Sequence, residues 1–247
     1  TFPRGMRLTD AIRPVAFDEH FDPGARQYLI SAYTEANLDQ RTSWLGQPID
    51  LYPADLVALQ EIMVRTRPTH VVIAHAEPGL AGFVDSIVKL LEVPSPTIIW
   101  ANDLHGPPEG LAACVHQVAG DPNAPKVLRR ISRLVGAAEA TLVLYAVDGQ
   151  PKVTAQSLAD YAGFVGHRCY LVALRTARGQ PWIGYARLRG SRAVSDLVHA
   201  DPALVIDTSW ERNILTSCPS GFVLRVGDAD AAYDERLDRI PEPAGQA

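Results

Sequence analysis

The feature that most constrains the fold of this chain is a regular alternation. Six short apolar runs, "THVVIAH" (69–75), "TIIWAN" (97–102), "CVHQVAG" (114–120), "ATLVLYA" (140–146), "CYLVALR" (169–175) and "GFVLRVG" (221–227), are separated by segments of helical period. Runs of this length, rich in β-branched and aromatic residues and apolar throughout, mark strands covered on both faces. With helices expected over 53–66, 80–92, 123–135, 153–165 and 191–199, the pattern predicts an α/β fold. Its sheet should be doubly wound and mostly parallel.

Local chemistry supports the helix positions. Pro53 suits a first turn and is followed by Asp55, and Thr154 heads "TAQSLADYAGFV", whose Leu158, Tyr161 and Val165 share one face. A helical region near 24–38 and the segment "TSWLGQPIDLYP" precede the first strand. That segment is expected to cross the sheet as a lid or substrate wall, with Trp44 as a substrate contact. The expected organisation is an N-terminal helical extension over 1–52, an α/β domain over 53–230 and a polar tail over 231–247.

Composition narrows the function. The 247 residues, 47% hydrophobic and 21% charged, suit one domain with a substantial core, and a net charge of -5 argues against nucleic acid or an anionic membrane as partner. Cys114, Cys169 and Cys218 are widely spaced, fitting buried thiols in a reducing compartment. No apolar stretch approaches the roughly 20 residues of a membrane span, and the N-terminus has no signal-peptide pattern. A cytoplasmic protein acting on a small-molecule metabolite is expected.

In doubly wound folds ligands lie over the carboxyl ends of the strands, where the strand order reverses. This brings the loop in "VVIAHAEPGLAGF" (71–83) together with 102–105, 120–122, 146–149 and 174–176. The polar residues there are His75, Asp103, His105, Gly120 with Asp121, Tyr145, Asp148 and Arg175. His75 and His105 offer imidazoles for acid–base work, and Asp148 and Tyr145 are further catalytic candidates. No G-x-S-x-G elbow, P-loop or H-E-x-x-H occurs, so hydrolase, NTPase and zincin readings lack support.

Two stretches carry a family resemblance. "TSWLGQPIDLYPADLVALQEIMVRTRPTHVV" is similar to a W-x-G…P-x-D-L…Q-E-I…P-x-x-I opening, and "GSRAVSDLVHADPALVIDTSWERNILTSCPSGFVLR" to an A-V…E-R…L-T…P-x-G-(F/Y)-L-R ending. Through them the chain resembles the cephalosporin hydroxylase family, S-adenosylmethionine-dependent O-methyltransferase-like proteins similar to rhamnosyl and macrocin O-methyltransferases, over roughly 30–226. The resemblance implies a Rossmann-like methyltransferase fold and natural-product tailoring. It also implies that Asp103 meets a ribose diol and that Gly120-Asp121 lies near an adenine, with His75 beside the cofactor.

The departures from the family pattern cluster in the same crevice. Ala74 stands where the family has Glu, Ala76 where it has Gly, and Leu80-Ala81-Gly82 where it has Gly-Gly-Ser, so Leu80 is expected to project into cofactor space. At the family's Mg²⁺ ligands the chain has Ala146, Leu174 and Arg175, so no metal site is expected. Arg175 turns that pocket toward anions, either holding a substrate or pairing with Asp148. Three readings stay open: a metal-independent methyltransferase, a repurposed enzyme catalysing a step such as cyclisation or isomerisation, and an inactive paralogue. The last implies a hetero-oligomer with an intact homologue; a homo-oligomer is the other expected assembly.

Overall fold

A computed structural model describes residues 42–103, 114–138, 140–147, 155–176, 189–212, 216, 218 and 220–226. The expected helix near 24–38 and the tail after 231 lie outside them. A two-strand ribbon, β1 (Ser43–Trp44) and β2 (Gln47–Pro48), leads into α1 (Pro53–Thr66), β3 (His70–Ala74) and α2 (Pro78–Leu90). Then follow β4 (Thr97–Asn102), β5 (Val115–Ala119), α3 (Pro125–Val135), β6 (Thr141–Ala146), α4 (Ala155–Ala162) and β7 (Tyr170–Leu174). The described part closes with α5 (Arg189–Ala200), β8 (Leu204–Ile206), α6 (Ser209–Arg212) and β9 (Phe222–Arg225).

The seven-stranded sheet has the order β5-β4-β3-β6-β7-β9-β8. The first five of these are mutually parallel, whereas β9 runs antiparallel to both β7 and β8. All six expected strands are present. β8, α6 and the ribbon are additions to the sequence reading, because three- and four-residue elements and a two-residue strand pair leave too little periodic signal.

Alternation along the strands sorts the core into two layers. Val71, Ile73, Ile98, Trp100, Leu142 and Leu144 face α1 and α2, while Val72, Ile99, Val143, Tyr145 and Leu171 face α3, α4 and α5. Both faces are therefore covered, as continuous apolar strands require.

The ribbon turns through Leu45 (φ 49) and Gly46 (φ 83), two successive positive-φ residues of the kind that close a two-residue hairpin. It lies against the start of α2. A Cβ on Gly79 would collide with the Pro48 carbonyl oxygen and stand 2.7 Å from that of Gln47. Only glycine allows this approach.

With α2 starting at Pro78, Leu80 falls in its first turn, on the face shared with Val84 and Ile87, and is fully buried in the core. This corrects the expectation that Leu80 projects into the crevice.

Candidate functional site

The strand order reverses between β3 and β6, so the binding crevice expected of such a sheet falls where His75 follows β3 and Tyr145 and Ala146 end β6. His75 takes a left-handed backbone (φ 58), its N–H donating to the Ala101 carbonyl at 3.2 Å. The next carbonyl, of Ala76, accepts from Trp100 Nε1 and from the buried Asn102 Nδ2, both at 3.0 Å. Two side chains of β4 thus fix the loop after β3. Glu77 stands half-buried at the N-cap of α2 without a side-chain cap bond.

The His75 ring lies edge to face on Tyr145, with centroids 5.2 Å apart, and Tyr145 packs in the same way on Tyr161 at 4.9 Å. Tyr145 is fully buried and donates to Asn123 Oδ1 at 2.9 Å, while Tyr161 donates to the Pro122 carbonyl at 2.9 Å. Burial pushes the Tyr145 phenol up to about 12, so at neutral pH it is a hydroxyl donor and not a base. The Tyr161 phenol is driven up by the same cause.

Burial lowers the His75 pKa from 6.5, against the raising effects of the Asn123 side chain and of Asp121 and Asp103; Arg175 adds to the lowering. Asp103, after β4, and Asp121, after β5, are both exposed. Asp121 Oδ1 also accepts the Asn123 backbone N–H at 2.9 Å, closing the turn that presents Asn123, and Gly120 N–H reaches toward the Asn102 carbonyl at 3.4 Å. His75, Asp103, Gly120, Asp121, Tyr145 and Arg175 therefore all lie at the carboxyl ends of the parallel strands. Asp148 and His105 lie outside the described residues.

Arg175 (φ 61) follows β7, and its Nη1 pairs with Asp50 Oδ2 at 2.5 Å, both side chains largely buried. Asp50 comes from 125 positions earlier, in the segment joining the ribbon to α1; Asp148, the partner weighed from sequence, lies outside the described residues. The Arg175 N–H also donates to Cys218 Sγ at 3.3 Å. Thr216 ties this C-terminal segment to α1, its hydroxyl donating to the buried Asp55 and accepting the Cys218 N–H at 2.9 Å. The end of β7 is thus braced from both ends of the domain.

Trp44 sits on the flank of α2. Its Nε1 donates to Ser86 Oγ at 3.0 Å, and its ring meets Phe83 edge to face at 5.0 Å. Sequence reasoning assigns no role to Asp50, Asn102 or Asn123. Asp50 lies within the P-x-D-L match and Asn123 two residues after Asp121, and those positions are the signals that point to them.

Among the described residues no group of three His, Cys, Asp or Glu side chains is arranged to hold a metal ion. No described helix is long and apolar enough to cross a membrane.

The sheet order and the two helical layers define a doubly wound α/β protein with a methyltransferase-type fold. The chain belongs to the rhamnosyl O-methyltransferase/CmcI family, whose profile matches residues 36–226. Among solved structures it is similar to apo CmcI, with a TM-score of 0.56 and 15% identity over 76% of this chain and 77% of that one. CmcI with Mg and SAM gives a TM-score of 0.56 and 16% identity, covering 76% and 78% of the two chains. For CmcI with SAH the TM-score is 0.53 and the identity 14%, covering 75% and 83%. No curated protein sequence matches the chain significantly.

Proposed function

We propose that this chain is a natural-product tailoring protein that uses its methyltransferase-type crevice without a hard metal and for a step other than methyl transfer. Acid–base chemistry on a small metabolite, such as cyclisation or isomerisation, is the reaction class that suits the groups present. Family membership supports the tailoring role, and one related structure is that of CmcI with Mg and SAM. Fold alone does not carry that chemistry across.

The observation that carries the reading is the Arg175–Asp50 pair at the end of β7. Mg²⁺ requires several oxygen ligands, and a guanidinium held there by a carboxylate repels a cation from the same space. Ala146, Val147 and Leu174 beside it are buried and apolar. These residues do not fit a hard cation.

S-adenosylmethionine fits at one end only. Asp103 and Asp121 are exposed acceptors of the kind a ribose and an adenine can meet, whereas at the methionine end Ala74 supplies no carboxylate for an ammonium. The Ala76 carbonyl there is already engaged twice. The test is thermal unfolding with S-adenosylhomocysteine, with and without millimolar Mg²⁺. The expected melting temperature is the same in both. A rise that depends on Mg²⁺ and disappears in Asp103→Ala would overturn the reading.

A further inference from the structure

Among the described residues, His75 Nε2 is buried and has no hydrogen-bond partner. A buried polar atom left unmatched is a cost that folding normally avoids, so its place at the strand-order switch calls for an explanation. The backbone beneath it is left-handed, a conformation that bulky residues rarely adopt and that collects at working sites.

A ring with one unpartnered nitrogen can carry its proton on the other. The Asn123 side chain lies close enough to the His75 ring to raise its pKa, and Nε2 itself has no partner. Asn123 Oδ1 already accepts the Tyr145 hydroxyl, and a carbonyl oxygen has a second lone pair for Nδ1–H. The Asn123 interaction raises the pKa of His75, the direction given by an acceptor facing the ring. A proton on Nδ1 leaves Nε2 as a bare lone pair.

We propose that His75 Nε2 is the proton acceptor of the crevice, presented bare to an O–H or N–H group of a small-molecule ligand. In the step it serves, the ligand's O–H bond breaks, the proton forms an N–H bond at Nε2, and the electron pair stays on the ligand oxygen. The imidazolium so formed faces Asp103 and Asp121, whose charges favour it, and Arg175, whose opposing charge is paired with Asp50. Tyr145 and Asn123 act as positioning residues that hold the ring and its tautomer.

The inference rests on reading the crevice as an acid–base site. Its test is independent of Mg²⁺ and of any nucleoside, so the two can fail separately. Long-range ¹⁵N–¹H correlation of the histidine rings of the full chain at neutral pH reads the tautomer, with His75 assigned by the signal lost in His75→Gln. The expected result is a protonated Nδ1 and a bare Nε2, shifting toward Nε2–H in Asn123→Ala. A protonated Nε2 in the unaltered protein would overturn the proposal, and that readout needs no variant to fold if the seven rings are assigned by connectivity.

Phenol and anisole, which differ by the hydroxyl proton, then serve as probes. Phenol is expected to move the Nε2 resonance and anisole to leave it. Equal shifts, or none with either, would also overturn the proposal.

Discussion

At the scale of single residues, His75 ties the crevice to pH. Its folded pKa lies below the ordinary 6.5, so the native ring stays neutral while the unfolded chain takes up a proton. Stability is therefore unaffected well above 6.5 and falls as pH drops below it, because the unfolded state then binds more protons. The expected outcome is a urea midpoint that declines between about pH 7.5 and about pH 5.5, with a shallower decline in His75→Gln. Some decline remains, since burial lowers the His70 pKa as well. An identical slope in the variant would contradict the assignment.

The Arg175–Asp50 pair makes a second residue-scale prediction. Removing one partner leaves a largely buried charge, so Arg175→Met or Asp50→Asn alone should each cost about 3 to 5 kcal/mol. The double variant should cost clearly less than the sum of the two, giving a coupling energy in a double-mutant cycle of denaturant unfolding. Additive losses would mean that the two groups do not interact in solution.

At the scale of elements, the ribbon and α2 are held by the contact at Gly79. Gly79→Ala forces the Pro48 carbonyl away and should cost about 1 to 3 kcal/mol by overpacking. Trp44 fluorescence should report the displaced ribbon, because its indole is bonded to Ser86 on the same helix. The link between α1 and the C-terminal segment is tested by Thr216→Val. This variant removes a hydrogen bond from the buried Asp55, for about 1 to 3 kcal/mol seen as a lower denaturant midpoint.

Elements of strong period are legible in the sequence. The six long strands and five long helices follow from apolar runs and helical spacing, with ends differing by a few residues. Contacts distant in sequence are not. Local pattern does not offer Asp50 to Arg175, because it says nothing of how the segment before α1 crosses the sheet. Asp50 reaches Arg175 from there. Leu80 is misplaced for a related reason: whether Pro78 opens the helix decides if residue 80 faces loop or core, and Pro in the first turn is the cue that settles it.

At the scale of the whole molecule, the proposed function pairs a retained fold with an altered site. The seven-stranded sheet with helices on both faces matches the CmcI fold, and the residues expected from the resemblance to depart from the family pattern gather at the carboxyl ends of β3, β6 and β7. At the ends of β4 and β5 the acceptors Asp103 and Asp121 remain. The site is legible as a crevice because strand-end loops can be read from sequence. Its state is not, because the pairing of Arg175, the ring stack of His75, Tyr145 and Tyr161, and the turn presenting Asn123 all depend on tertiary packing.

On the proposed function, the nucleoside end of the donor site is kept and its amino-acid end is not. Isothermal calorimetry of the full chain with adenosine and with S-adenosylhomocysteine tests it most directly, since the two ligands differ by the homocysteine arm. The predicted result is a pair of dissociation constants within about threefold of each other, both weakened in Asp103→Ala. S-adenosylhomocysteine binding more than about a hundredfold tighter than adenosine would show a working amino-acid pocket and contradict the claim.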